Sequence, residues 1–220
     1  MISFVTLLDY LGTFAFAISG IRLASMKRFD WFGAYVVGLV TAIGGGTIRD
    51  VLLDATPFWM IQPSYIIWTG IALLFVILFS KYLIRLNNTF FIFDTIGLAL
   101  FVVVGFEKTL SFGFPYWVAV LMGTATGAAG GVIRDILINE EPLVFRKEIY
   151  AMACVLGGLV YALFDYLGFD TTLTQIACAI GVMATRILSV KYHICLPVLS
   201  GEDPANLNKV EEIDETEDKK

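Results

Sequence analysis

Apolar residues along this chain come in long blocks, and the polar residues gather between the blocks. Seven blocks of about 18 to 20 residues, nearly free of charge, begin near Ser3, Trp31, Pro63, Phe90, Pro115, Ile149 and Thr171. At about 1.5 Å of rise per residue, each is long enough to cross the roughly 30 Å hydrocarbon core of a bilayer. A soluble domain of 220 residues has room to bury one or two such helices, not seven. The pattern predicts an all-α membrane protein with seven transmembrane helices.

Composition sharpens this reading. Hydrophobic residues make up 58% of the chain and charged residues 16%, where soluble domains carry about 25% charged residues. Mean hydropathy is +0.79. The net charge of −5 comes mostly from the end of the chain, where Glu202 to Lys220 is acidic and polar with no apolar face. That tail, 200–220, is expected to be disordered. No Lys or Arg precedes the first block and Arg22 follows it, the reverse of a cleaved signal peptide, so an uncleaved anchor with its N-terminus outside is expected. The connections after spans one, three and five, and the tail, then face the cytoplasm. They carry Arg22, Lys27 and Arg28, Lys81 and Arg85, Arg146 and Lys147, and Lys191, Lys209, Lys219 and Lys220, against Lys108 outside. Cys154, Cys178 and Cys195 lack metal-ligand spacing and read as small packing residues. No dedicated metal site and no nucleic-acid partner is expected.

The chain also matches itself without a gap at an offset of 85 residues. Asp9, Gly12, Phe16 and Gly20 meet Asp94, Gly97, Phe101 and Gly105; Gly38 and Thr41 meet Gly123 and Thr126; Pro57 and Tyr65 meet Pro142 and Tyr150. There are 16 identities between positions 9 and 65, and most fall on polar, Gly and Pro positions rather than on interchangeable aliphatics. Each copy holds three spans, an odd number, so the second enters the membrane upside down. The expected architecture is an inverted 3+3 repeat plus one: residues 1–88, then 89–168, then a seventh helix over 169–199. Such folds place their functional site near the midplane, between the repeats.

The sharpest repeated unit is Gly44-Gly45-Gly46-Thr47-Ile48-Arg49-Asp50, echoed as Ala129-Gly130-Gly131-Val132-Ile133-Arg134-Asp135. Each glycine lowers helix propensity by about 1 kcal/mol relative to Ala, so helices two and five are expected to be kinked, or briefly unwound, at these glycines. Unwinding frees carbonyls and a half-helix N-terminus that only protein or water can satisfy, which points to an ion path past Gly44, Gly45, Gly46, Thr47, Ala129, Gly130 and Gly131. Thr47 offers a hydroxyl where Val132 does not. Neighbours in sequence sit about 100° apart on a helix and do not face each other. Arg49 is therefore expected to pair with Asp135, and Arg134 with Asp50. These charges read equally as structural clamps or as part of the ion path. Asp9 and Asp94 either draw cations to the two mouths or partner the arginines. Gly38, Gly123 and Gly127 read as helix-packing residues. Arg186 is expected to snorkel, His193 to sit at the interface, and Glu107 and Lys108 to form an exposed loop pair.

The paired Gly-Gly-Gly-x-x-Arg-Asp and Ala-Gly-Gly-x-x-Arg-Asp units, with Thr185-Arg186-Ile187-Leu188 through Tyr192-His193 to Leu196-Pro197, resemble the prokaryotic branch of the TRIC family of trimeric intracellular cation channels, over roughly residues 1 to 200. The resemblance implies a homotrimer in the prokaryotic inner membrane. Each protomer would hold an hourglass pore lined by kinked helices two and five, selective for monovalent cations, chiefly potassium, with sodium left open. Ala129 departs from the first copy's Gly44. The same domain is also associated with glycine transport, for which a half-helix N-terminus near Gly46 or Gly131 would suit a substrate carboxylate. No Ser/His/Asp set, metal cluster or nucleotide loop points to an enzyme, and no cofactor is expected.

The charge bias makes a topological prediction. In a cysteine-accessibility scan on a cysteine-free background, residues 55–62 and 166–170 label from outside and residues 24–28 from inside. Labelling of both groups from one side would end the inverted-repeat reading.

Overall fold

The computed structural model describes residues 3–85, 89–146 and 149–197. The expected cytoplasmic charges Lys147, Lys209, Lys219 and Lys220 and the tail at 200–220 lie outside the described residues, as do the side chains of Lys81 and Arg85. The described residues are helical throughout: α1 (Phe4–Met26), α2 (Trp31–Leu52), a one-turn α3 (Phe58–Ile61), α4 (Ser64–Arg85), α5 (Thr89–Ser111), α6 (Tyr116–Leu137), a 3-10 turn (Leu143–Phe145), α7 (Ala151–Tyr166) and α8 (Thr171–Tyr192). The fifth span of the sequence is therefore α6.

Local sequence sets these boundaries. Ser3, Asp30 and Asp170 cap α1, α2 and α8, their side chains accepting from Thr6 N (3.2 Å), Gly33 N (2.6 Å) and Thr172 N (2.9 Å). Helix ends repeat in backbone detail at the 85-residue offset. Arg28 and Gly113 both take the left-handed conformation, as do Asp54 and Asn139. Matching closing bonds accompany them: Phe29 N to Ala24 O and Phe114 N to Thr109 O, then Ala55 N to Asp50 O and Glu140 N to Asp135 O.

Among the described residues, five helices, α1, α2, α5, α6 and α8, are long and apolar enough to cross a membrane; α7 (Ala151–Tyr166) and the Ser64–Ser80 part of α4 are shorter apolar stretches. The block expected from Ile149 becomes helical at Ala151, with Tyr150 before it and no side-chain capping bond; a 3-10 turn, Leu143–Phe145, follows Pro142. At about 1.5 Å per residue α7 covers some 24 Å.

At the centre α1 lies along α5, with α2 packed on α1, α6 packed on α5, and α2 crossing α6. The α4 helix covers α1, α7 covers α6, and α8 packs on α5 and α7. The α1–α5 contact is reciprocal: Phe16 fills the space over Gly97 and Phe101 that over Gly12, the two rings 5.1 Å apart and edge to face. The α2–α6 crossing is closer still. A Cβ on Gly45 would lie 2.0 Å from the Thr126 carbonyl oxygen, and one on Gly130 would lie 2.3 Å from that of Thr41.

Here the structure removes one of the two sequence alternatives, the unwound turn. Both α2 and α6 run as uninterrupted α-helix through their glycine motifs, with no unwound turn. The glycines serve close backbone approach, and an intact helix keeps its own carbonyls satisfied where water is scarce. Gly38 and Gly123 play the expected packing part, against Ile21 and the Val102 carbonyl.

The crossing yields a stability prediction. Gly45→Ala and Gly130→Ala should each lower the melting temperature of the detergent-solubilised protein, at about 1–3 kcal/mol for overpacking that flexible side chains cannot relieve. Gly70→Ala, where nothing lies within 4 Å, should be neutral or mildly stabilising. Equal effects at all three positions would refute the close seam.

Candidate functional site

Two clusters of buried charge sit at opposite ends of α5. Asp94, near its start, belongs to one and Lys108, in its last turns, to the other. The fourteen-residue step from one to the other spans about 21 Å of helix. The C-terminal turns of α2 and α6 reach these two ends separately.

In the first cluster, Asp50 is the hub. Arg49 donates from Nε to Asp50 Oδ1 at 2.8 Å, Lys108 Nζ lies 2.8 Å from the same oxygen, and Phe58 N donates to Oδ2 at 2.9 Å. Pro57 turns the chain back so that the first free N–H of α3 meets this carboxylate. The Arg49 guanidinium lies 5.7 Å from the Phe58 ring centre. Beside it Tyr65, on α4, donates its hydroxyl to Asp9 Oδ2 at 2.6 Å.

The second cluster copies this frame. Arg134 Nε donates to Asp135 Oδ1 at 2.8 Å, and Leu143 N, after Pro142, donates to Asp135 Oδ2 at 3.0 Å. Arg134 goes further. Its Nη1 donates to Asp94 Oδ1 at 2.6 Å and to Ser19 Oγ at 2.8 Å, and the guanidinium stacks 4.7 Å from the Phe90 ring centre. One buried arginine thus ties α6 to α5 and α1. A cavity of about 200 Å³ reaches Asp135, lined also by Leu23, Phe90, Leu143 and, at the exposed end, Lys27, Glu140 and Arg146. Across it Lys27 lies 2.5 Å from Glu140, and this hydrogen bond holds the Glu140 carboxyl below its usual range.

Several sequence expectations change. Arg49 does not meet Asp135, nor Arg134 Asp50, because the crossing of α2 and α6 sends their C-terminal turns to opposite ends of α5. Each arginine instead bonds the next residue, its long side chain curling across the angle between them. The alternative that Asp94 partners Arg134 is what forms; Asp9 takes a tyrosine. Arg186 does not snorkel: it is 1% exposed, donates to the Ile149 carbonyl at 2.9 Å and stacks on Phe91 and Tyr150. Glu107 and Lys108 are not a loop pair. Glu107 accepts from Tyr161 and from Gln175 Nε2 (2.5 Å), and Lys108 reaches Asp50. His193 ends α8 in the left-handed conformation, exposed.

Among the path candidates, Gly44 and Gly45 on α2 and Gly130 on α6 are buried in the seam, while Gly46 and Gly131 are buried outside it. Gly44 faces Ile133, Gly46 the Phe58 ring and Gly131 the Tyr150 hydroxyl, while Ala129 is half-buried. The Thr47 hydroxyl accepts from Trp59 Nε1 at 3.0 Å. Tyr65, Tyr150, Ser19 and Lys108 are the site residues that motif reading passed over. For the tyrosines the signal was present, since they are one of the repeat's identities.

Known proteins share this fold. A family model described as glycine transporter matches residues 6–81 and again 91–166, the two matches starting 85 residues apart. The inner membrane protein YadS of Escherichia coli is 40% identical over 198 residues, 88% of this chain and 95% of its own, and a membrane protein of Deinococcus radiodurans is 38% identical over 87% of this chain and 90% of its own. Among solved structures, the TRIC trimeric intracellular cation channel orthologue from Rhodobacter sphaeroides superposes with a TM-score of 0.82 at 34% identity, covering 86% of this chain and 98% of that one. A prokaryotic TRIC channel solved in 0.5 M KCl superposes with a TM-score of 0.80 at 34% identity, covering 89% and 100%. A TRIC channel from C. elegans, 15% identical, shares the fold with a TM-score of 0.59. The chain is a multi-pass membrane protein and belongs to the prokaryotic branch of the TRIC family.

Proposed function

We propose that this protein is a monovalent-cation channel, with potassium as its main permeant ion, conducting through a path inside each protomer of a homotrimer. The observation that carries the reading is a cavity of about 200 Å³ that reaches the Asp135 carboxylate, with Glu140, Lys27 and Arg146 also in its lining. Carboxylates at a pore mouth raise the local cation concentration and disfavour anions. The relatives of like fold at 34% identity bear the name of cation channels. In this reading seven helices, α1, α2, α4, α5, α6, α7 and α8, cross the inner membrane as an inverted 3+3 repeat plus one, with the N-terminus outside and the C-terminus in the cytoplasm. The placement of the α2 and α6 termini at opposite ends of α5 supports the inversion. The constriction lies along Gly44, Gly45, Gly46, Thr47, Ala129, Gly130 and Gly131, where Gly45 and Gly130 bring α2 and α6 into backbone contact, and the two helices flex there on opening. Arg49, Asp50, Arg134 and Asp135 act as clamps at its two ends, with Asp9 and Asp94 beside them. The protein works without a cofactor and is not an enzyme.

The family's description favours a second reading, a glycine carrier. Its weakness is local: α2 and α6 are continuous at Gly46 and Gly131, so no half-helix N-terminus is present there for a carboxylate.

Planar-bilayer recording separates the two. Unitary potassium currents are expected, with no saturable glycine uptake into proteoliposomes; saturable uptake without unitary current would reverse the assignment. Within the channel reading, Asp135→Asn should cut unitary conductance several-fold at low salt, and the deficit should shrink towards 1 M KCl, where the Debye length falls to about 3 Å. A deficit independent of salt would remove Asp135 from the ion path.

A further inference from the structure

The two halves are framed alike but bonded differently. Asp9 and Asp94 are equivalent, as are Arg49 and Arg134, and Tyr65 and Tyr150. In the first half the carboxylate takes the tyrosine: Tyr65 Oη donates to Asp9 Oδ2 at 2.6 Å, while Arg49 stays on Asp50. In the second half the carboxylate takes the arginine: Arg134 Nη1 donates to Asp94 Oδ1 at 2.6 Å. The atoms equivalent to the first half's bond, Tyr150 Oη and Asp94 Oδ2, are then both buried and both without a hydrogen-bond partner. Tyr150 is 1% exposed and Asp94 0%. Buried polar groups left unpaired are rare and call for an explanation.

We infer that Asp9 and Asp94 exchange partners in opposite phase, each between its tyrosine and its arginine, and that this exchange is the gating element of the path. The inference rests on the channel reading above and names what regulates it. In the alternate state Arg49 bonds Asp9 and Tyr150 bonds Asp94, the mirror of the arrangement seen here. In the first half one ring, Phe58, lies 5.7 Å from the Arg49 guanidinium and 4.3 Å from the Tyr65 ring, which sets Arg49 beside the Asp9–Tyr65 pair. The exchange replaces an α1–α4 tie with an α1–α2 tie and an α5–α6 tie with an α5–α7 tie. Because α2 and α6 touch backbone to backbone at Gly45 and Gly130, drawing one towards α1 and releasing the other from α5 shifts the seam between them. A two-state element of this kind is what a gate requires.

The observed phase follows from where the halves differ. Ser19, whose counterpart is Val104, gives Arg134 an extra acceptor and favours its reach to Asp94. Lys108, whose counterpart is Leu23, joins Arg49 on Asp50.

Phenylalanine at each tyrosine keeps the ring and removes only the hydroxyl. Tyr65→Phe removes a bond of the present state, and Tyr150→Phe removes one of the alternate state. Each bond is to a charged acceptor, so each change should move the ratio of the two states by about tenfold or more. Single-channel open probability should therefore shift in opposite directions in the two variants, and the double variant should return towards wild type. Fluorotyrosine placed at 65 or at 150 should show two fluorine resonances whose populations move the same two ways. Shifts in one direction, or a single unmoved resonance at 150, would overturn the exchange, leaving a static tyrosine satisfied by a trapped water. Currents that persist without opposed shifts sink the exchange and spare the channel; fluorine exchange in a protein that passes no current sinks the channel and spares the exchange.

Discussion

Buried guanidinium groups organise this molecule. Arg49, Arg134 and Arg186 are 2%, 0% and 1% exposed, and a charge so placed has no water to fall back on. Removing one partner of a buried ion pair typically costs about 3–5 kcal/mol, because the survivor stays buried and unpaired. Each arginine therefore dictates its surroundings. Arg49 and Arg134 each have an aspartate next in sequence, an aromatic face and a proline-led turn whose N–H shares the carboxylate. Arg186 has the carbonyl of Ile149 and two aromatic rings. The loops after α2 and α6 each return one backbone N–H, of Phe58 and of Leu143, to the carboxylate that the arginine already holds.

The glycines answer a different demand. Between two helices in a membrane no hydrophobic gain favours association, since lipid tails are as apolar as the side chains they would replace. Contact must come from close fit. Gly45 against the Thr126 carbonyl and Gly130 against that of Thr41 bring the two backbones together, and the charged ends of the same helices then diverge to their separate clusters. One motif thus contributes a crossing point and, four residues on, an anchor.

Much of this was legible in the sequence. Apolar blocks located the long helices, and the 85-residue identities singled out Asp9, Asp94 and both Arg-Asp pairs, all of which the structure draws into two clusters. What misled was geometry that one-dimensional spacing does not carry. Consecutive residues on a helix point apart at Cβ, but an arginine has enough length to return to its neighbour, as Arg49 does to Asp50. Low helix propensity at Gly44 to Gly46 suggested a break, yet propensity is a weak term beside packing and backbone hydrogen bonding. Lys108 looked like a loop residue because it follows an apolar run, although α5 continues to Ser111. Tyr65 and Tyr150 were visible as a repeated pair without any hint of what they touch.

The differences between the halves carry a consequence for whether one could stand in for the other. Asp50, in the first half, receives a lysine from the second, and Arg134, in the second, leans on a serine from the first. The equivalent positions are Leu23 and Val104, so neither contact has a counterpart in the other copy. Two copies of the first half would lack the lysine at Asp50, and two copies of the second would lack the serine at Arg134. Each cluster is complete only when the two unlike halves are joined.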